Sequence, residues 1–170
     1  MTIIDHKILD SIDRGLALLP HAMSSQQARV MMYAIGLQES RFTARRQLVG
    51  NPPRPTGPAK GFWQFERLGG CRGVVDHAAS RYWMHRVCVL QDVPFNATAI
   101  WNAIETNDVL AAVAARLLLF TDPKRLPAVD DAAGAWNLYI RTWQPGKPHR
   151  KTWDAFHQQA VLTAIERTDS

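Results

Sequence analysis

Between Val109 and Phe120 the chain is apolar almost without interruption, with Arg116 the main exception. Read as a helix, this run has no solvent face, and a helix apolar on every side belongs in the middle of a domain, wrapped by other elements. The rest of the chain supplies the wrapping. Ile4, Ile8, Ile12, Leu16 and Leu19 step by four and then three, which predicts a first amphipathic helix ended by Pro20. Ser24 or Ser25 is placed to N-cap a second helix running to about Ser40. A Gly-Gly break at Gly69 and Gly70 precedes a helix expected from about Cys71 to Leu90, and Pro94 halts the chain shortly after it. Helices are expected at 97–105 and 107–120, from Asp130 or Asp131 to about Trp143, and from about Arg150 to Glu166 after a turn at Gln144–Pro148. Strand-like alternation is scarce, no repeat is present and no linker divides the chain. The expectation is an all-α single domain over residues 1–170, built from six to eight helices.

Length and composition agree with that reading. A chain of 170 residues with 46% hydrophobic and 21% charged residues supports one real core and argues against disorder. Two cysteines, Cys71 and Cys88, are too few for a disulfide scaffold or a four-cysteine zinc site. Two buried free thiols are expected, with a pair as the alternative. No segment reaches the roughly 18 apolar residues needed to span a bilayer. Asp5, Asp10 and Asp13 interrupt the N-terminal stretch, which has no basic n-region, so no export signal is expected there. The net charge of +5 points to an anionic partner, whether nucleic acid, a membrane surface or an acidic polymer such as a cell wall.

The stretch Ala28 to Phe42 carries the most chemistry. At about 100° per residue, Ala28, Met31, Met32, Ile35, Glu39 and Phe42 fall on one helical stripe. Glu39 lies in the middle of it, near the helix end. Desolvation disfavours a charged carboxyl and raises its pKa, which is what a general acid working at neutral pH requires. The competing reading turns Glu39 outward at a frayed end or pairs it with Arg41 or Arg45.

Downstream residues favour the first reading. Glu39-Ser40-Arg41-Phe42 is followed by a proline-rich loop over residues 43–60, then Gly61-Phe62-Trp63-Gln64, and much later Ala135-Trp136-Asn137. This order resembles the soluble lytic transglycosylase family of the lysozyme-like superfamily, which shows Glu-Ser-x-Phe at a helix end, then Gly-x-x-Gln, then a late Ala-Tyr-Asn. The resemblance spans about residues 26–146, and the run Val109–Phe120 is similar to the family's central helix. It implies a lysozyme-like fold and cleavage of the bond between N-acetylmuramic acid and N-acetylglucosamine in peptidoglycan. Glu39 then protonates the glycosidic oxygen and afterwards takes the proton of the muramyl C6 hydroxyl, closing a 1,6-anhydro ring without water. Gln64 and Asn137 inherit hydrogen bonding to substrate sugars. Ser40 inherits support of the intermediate or of the Glu39 carboxyl. No metal or other cofactor is implied, and the six histidines are scattered, although His77 and His85 fall within one expected helix.

The sequence departs from the family in three places. Arg41 stands where the family usually has Gly. Trp136 stands where it has Tyr, and an indole offers one N–H donor where a phenol both donates and accepts. Tyr139, one helical turn on, is the candidate substitute. The 43–60 loop is longer and richer in proline than the usual connection. It contains no Asp or Glu, whereas goose-type lysozymes carry aspartates in the corresponding segment, and this favours the one-carboxylate reaction. Glu66 and Asp76 remain as second acids for a hydrolytic muramidase. Arg41, Arg45, Arg46, Arg54 and Lys60, with Arg141, Lys147, Arg150 and Lys151, are expected to line the groove with positive charge. Trp63, Trp136 and Trp143 are either sugar platforms or core. Two further readings stand beside the enzyme: a lysozyme-like binding or virion assembly protein, and a nucleic-acid-binding helical domain. The latter lacks zinc spacing, an RNP-like motif or a short helix–turn–helix with a basic recognition helix. By analogy, a wall-cleaving domain of this kind fits a virion component, an endolysin or a bacterial protein delivered by a secretion system.

Overall fold

A computed structural model describes residues 4–168, and among these the architecture is all-α. Eight α-helices occur in order: α1 (His6–Ala17), α2 (Gln26–Ser40), α3 (Arg72–Asp76), α4 (Arg81–Leu90), α5 (Ala97–Ala103), α6 (Asp108–Phe120), α7 (Ala132–Trp143) and α8 (Arg150–Thr168). Local chemistry sets most of the starts. Asp5, Ser25, Asn96, Asn107 and Asp131 each accept a backbone N–H from the first turn of the adjoining helix, satisfying donors a helix leaves open.

α6 is the axis of the domain, and every residue from Val109 to Leu119 is buried. Arg116 is the price of running a charged side chain through it. Its Nε donates to the Met23 carbonyl at 2.8 Å, tying α6 to the short 3-10 turn at His21–Met23, and burial pulls its pKa down to about 10. α1 packs along α6, and α8 packs along α2. Asp13 joins these layers, taking Arg29 of α2 on one side and Arg167 of α8 on the other.

α2 differs from the single stripe that its apolar spacing predicts. Val30 through Leu37 are all buried, so α2 is enclosed on nearly every side. The reason is α8, which covers the face opposite the core stripe and encloses Tyr33 as completely as Ile35.

One expectation is corrected here. The helix expected over Cys71–Leu90 is broken. A kinked turn at Arg67–Cys71, non-helical at Gly69, leads into α3, and the chain then leaves helical geometry at His77. His77 Nδ1 accepts the Ala79 N–H at 3.1 Å and the buried Ser80 hydroxyl donates to the Val74 carbonyl at 2.8 Å, a side-chain stop that replaces the helical ladder. His77 and His85 therefore do not share a helix. Residues 43–60 form a loop, as expected, pinned by short backbone pairings. Isolated antiparallel bridges pair Val49 with Arg54 and Arg46 with Lys60, and Lys60 pairs again with Phe65. Cys71 and Cys88 are buried free thiols. Among the described residues no helix is long and apolar enough to cross a membrane.

Candidate active site

The end of α2 is fixed by three adjoining residues. Arg41 closes the helix in the left-handed region (φ 53°, ψ 23°), its N–H donating to the Leu37 carbonyl at 3.0 Å. Glycine favours this conformation, and Arg41 adopts it at a cost of about 1 kcal/mol. Phe42 is also left-handed, which folds its ring back onto Gly36. A Cβ at Gly36 would lie 2.0 Å from the Phe42 ring, so only glycine admits this return. Between them Ser40 is buried. Its hydroxyl donates to the Phe62 carbonyl at 2.7 Å and accepts the Phe42 N–H at 3.1 Å. Ser40 thereby joins the helix end to the second motif.

That second motif is a tight turn. Lys60 and Phe65 exchange backbone hydrogen bonds of 3.0 and 2.9 Å, and the Gln64 N–H donates to the Gly61 carbonyl at 3.0 Å. Gly61 has φ +72°, and a Cβ there would lie 2.8 Å from the Ile104 carbonyl oxygen. Phe62 and Trp63 point into the core, where the Trp63 indole donates to the Met32 carbonyl at 2.8 Å. Gln64, left-handed at φ 51°, is turned out of the core. Its Nε2 donates to the Gly61 carbonyl at 2.9 Å.

Glu39 is half-buried on the last turn of α2. Desolvation pushes its carboxyl from 4.5 up to about 7, while a hydrogen bond from Tyr139 opposes the shift. The Tyr139 hydroxyl donates to Glu39 Oε1 at 2.6 Å. Burial and the nearby carboxylate hold the tyrosine well above its ordinary pKa, so it remains a donor. Its ring stacks on the fully buried Trp153 at 5.2 Å and 7°, and the Trp153 indole donates to the Ala132 carbonyl at 2.9 Å. The phenol is thus held from α7 and α8 together.

Glu39, Gln64, Phe65, Glu66, Thr142 and Trp143 share one cleft of about 660 Å³, which Gln144, Pro145, Gly146 and Lys147 also line. Trp143 is half-buried on its wall, with its indole N–H on the Trp63 carbonyl at 2.9 Å and its ring edge-on to Phe65. The cleft therefore combines a carboxyl half-protonated near neutrality, an amide, a second and exposed carboxylate at Glu66, and an aromatic wall.

The remaining sequence-predicted residues lie elsewhere. Trp136 packs behind Tyr139 and against Trp153, with Arg150 over its ring, and does not line the cleft. Asn137 is exposed on α7 and is likewise absent from the cleft wall. Four of the basic residues expected around the groove are taken up by ion pairs. Arg45 pairs with Asp108, buried Lys60 with Glu105, Arg141 with Asp122 and Arg150 with Asp154. Of the nine basic residues expected around the groove, Lys147 alone lines this cleft. Gln47, Thr142 and Gln144 are cleft residues that no motif marked. Of the three, Thr142 lies four residues before Gly146, just ahead of the turn at Gln144–Pro148, which is the only sequence signal near it.

No protein-family model matches the chain, and no curated protein or solved structure matches it significantly.

Proposed function

We propose that this chain is a peptidoglycan-cleaving enzyme of lysozyme-like fold that works with a single carboxyl, as lytic transglycosylases do. The observation that carries the reading is Glu39: a carboxyl raised to about 7, held by Tyr139 at 2.6 Å, in a cleft it shares with Gln64. The motif order Glu39-Ser40, Gly61-x-x-Gln64 and the buried central helix α6 supports it.

The chemistry runs in two steps. With Oε1 engaged by Tyr139, Oε2 carries the proton and delivers it to the glycosidic oxygen as the bond to the muramyl C1 breaks. The substrate's own N-acetyl oxygen attacks C1 as the leaving sugar departs, which removes the need for a second protein carboxylate. The Glu39 carboxylate, now charged and steadied by the Tyr139 donor, takes the proton of the C6 hydroxyl. The C6 oxygen bonds to C1, the N-acetyl group is released, and Glu39 is again protonated. A pKa near the working pH suits a group that must give and then take a proton.

Glu66 favours a second reading. It lines the same cleft and is exposed, which supports a water-activating role in a hydrolytic muramidase. The test of the main reading is Glu39→Gln on purified peptidoglycan. Clearing of a sacculus suspension is expected to vanish while circular dichroism keeps its helical signature. Full clearing by that variant refutes the assignment.

A further inference from the structure

On the other side of the turn 144–148 lies a second groove of about 740 Å³, which the motifs do not account for. Gln38, the residue before Glu39, lines it. The Gln38 amide donates to the His149 carbonyl at 3.0 Å and accepts from the Thr152 hydroxyl at 3.0 Å, so the start of α8 is fixed to the end of α2 beside the catalytic candidate. Arg41, His149, Arg150 and Lys151 line the walls, with Phe156 at the side, and no acidic residue lines it. Arg41 lies over the Phe156 ring at 5.8 Å. Arg150 is matched by Asp154, but neither Arg41 nor Lys151 is in a salt bridge among the described residues.

The charge here is concentrated against the local field. The first turn of α8 holds no acid and carries Arg150 and Lys151 where the helix dipole is already positive, an arrangement that is unfavourable until an anion arrives. All of the groove's lining except Gln38 and Arg41 comes from residues 148–156, beyond the stretch that resembles the transglycosylases. Lys147 lines the Glu39 cleft and Pro148 lines this groove, so one short turn divides the two.

We propose that this cationic groove binds the carboxylates of the peptide branches on the glycan strand whose backbone occupies the Glu39 cleft. Arg41 and Lys151 supply the charge, and Phe156 the apolar surface for the branch. The inference rests on the glycan reading and adds a substrate requirement to it: strands that bear peptides are preferred over bare ones.

The test uses Glu39→Gln, so that polymer is bound without being cut, and compares it with Glu39→Gln carrying Arg41→Gln and Lys151→Gln. Both substituted cations are exposed, and unchanged melting and circular dichroism verify the fold. Each protein is titrated against intact sacculi and against glycan strands stripped of peptides by an amidase. The single variant is expected to prefer intact sacculi by roughly fivefold, from two exposed charge contacts, and to lose that preference in high salt. The triple variant is expected to bind both polymers equally and as weakly as the single variant binds bare strands. Equal binding of both polymers by the single variant, or a full preference kept by the triple variant, overturns the groove assignment and leaves the Glu39 reading standing. Failure of the single variant to bind either polymer overturns both.

Discussion

Replacing Glu39 by Gln is expected to stabilise the protein, by an amount that grows with pH. The wild-type carboxyl titrates at 4.5 in an unfolded chain and at about 7 in the fold, chiefly because burial penalises its charge. Below 4.5 both states hold the proton and the carboxyl costs nothing electrostatically. Between 4.5 and 7 the native state keeps a proton that the unfolded chain releases, so wild-type stability falls as pH rises. Above 7 the native protein carries the full burial cost, about 3 kcal/mol. A glutamine at 39 never ionises, and its Oε1 still accepts the Tyr139 hydroxyl. The stability difference between variant and wild type is therefore smallest below pH 4.5 and reaches a plateau of about 3 kcal/mol above pH 7. For a chain of this size that plateau is roughly 6–12 °C in Tm. Paired thermal melts from pH 4 to pH 8 measure it, and groups common to both proteins cancel in the difference. A difference that stays flat across that range refutes the burial of this carboxyl.

Other substitutions probe the supports of the site. Tyr139→Phe removes the donor that lowers the Glu39 pKa, so the alkaline limb of the pH–rate profile is expected to move above its wild-type position near 7 while the maximal rate falls. An unmoved limb means that the phenol does not set the carboxyl. Ser40→Ala strips a donor from the buried Phe62 carbonyl and an acceptor from the Phe42 N–H; urea melts are expected to show a loss of about 1–3 kcal/mol. Gly36→Ala places a methyl in the Phe42 ring and is expected to cost about 1–3 kcal/mol as the ring is displaced, with lost activity through the neighbouring Glu39. A Gly36→Ala protein that melts like wild type shows that the ring does not need this seat.

How much of the fold and the site can be read in the sequence depends on how local each cause is. The caps at Ser25 and Asp131 can be read to within one residue because a cap acts within one turn. The α6 helix can be read because an apolar surface all round has only one place to go. The break at His77–Ser80 is hidden because two side chains, not a proline or glycine, make it. The family motif points to position 136, yet the hydroxyl on Glu39 comes from Tyr139, one turn further along the same face of α7, while Trp136 packs behind it against Trp153. The basic loop residues look free in the sequence because their carboxylates lie far along the chain, as with Lys60–Glu105 and Arg45–Asp108. Arg41 shows the reverse case. The glycine is missing, yet the left-handed geometry that a glycine would favour is kept.

The mass of the muropeptides released by the wild-type protein decides between one carboxyl and two. One carboxyl working without a water-activating partner yields muramyl ends closed as 1,6-anhydro rings, each lighter by one water than a hydrolysed end. Ends carrying that water, lost on Glu66→Gln, would contradict the single-carboxyl mechanism and assign the cleft to hydrolysis.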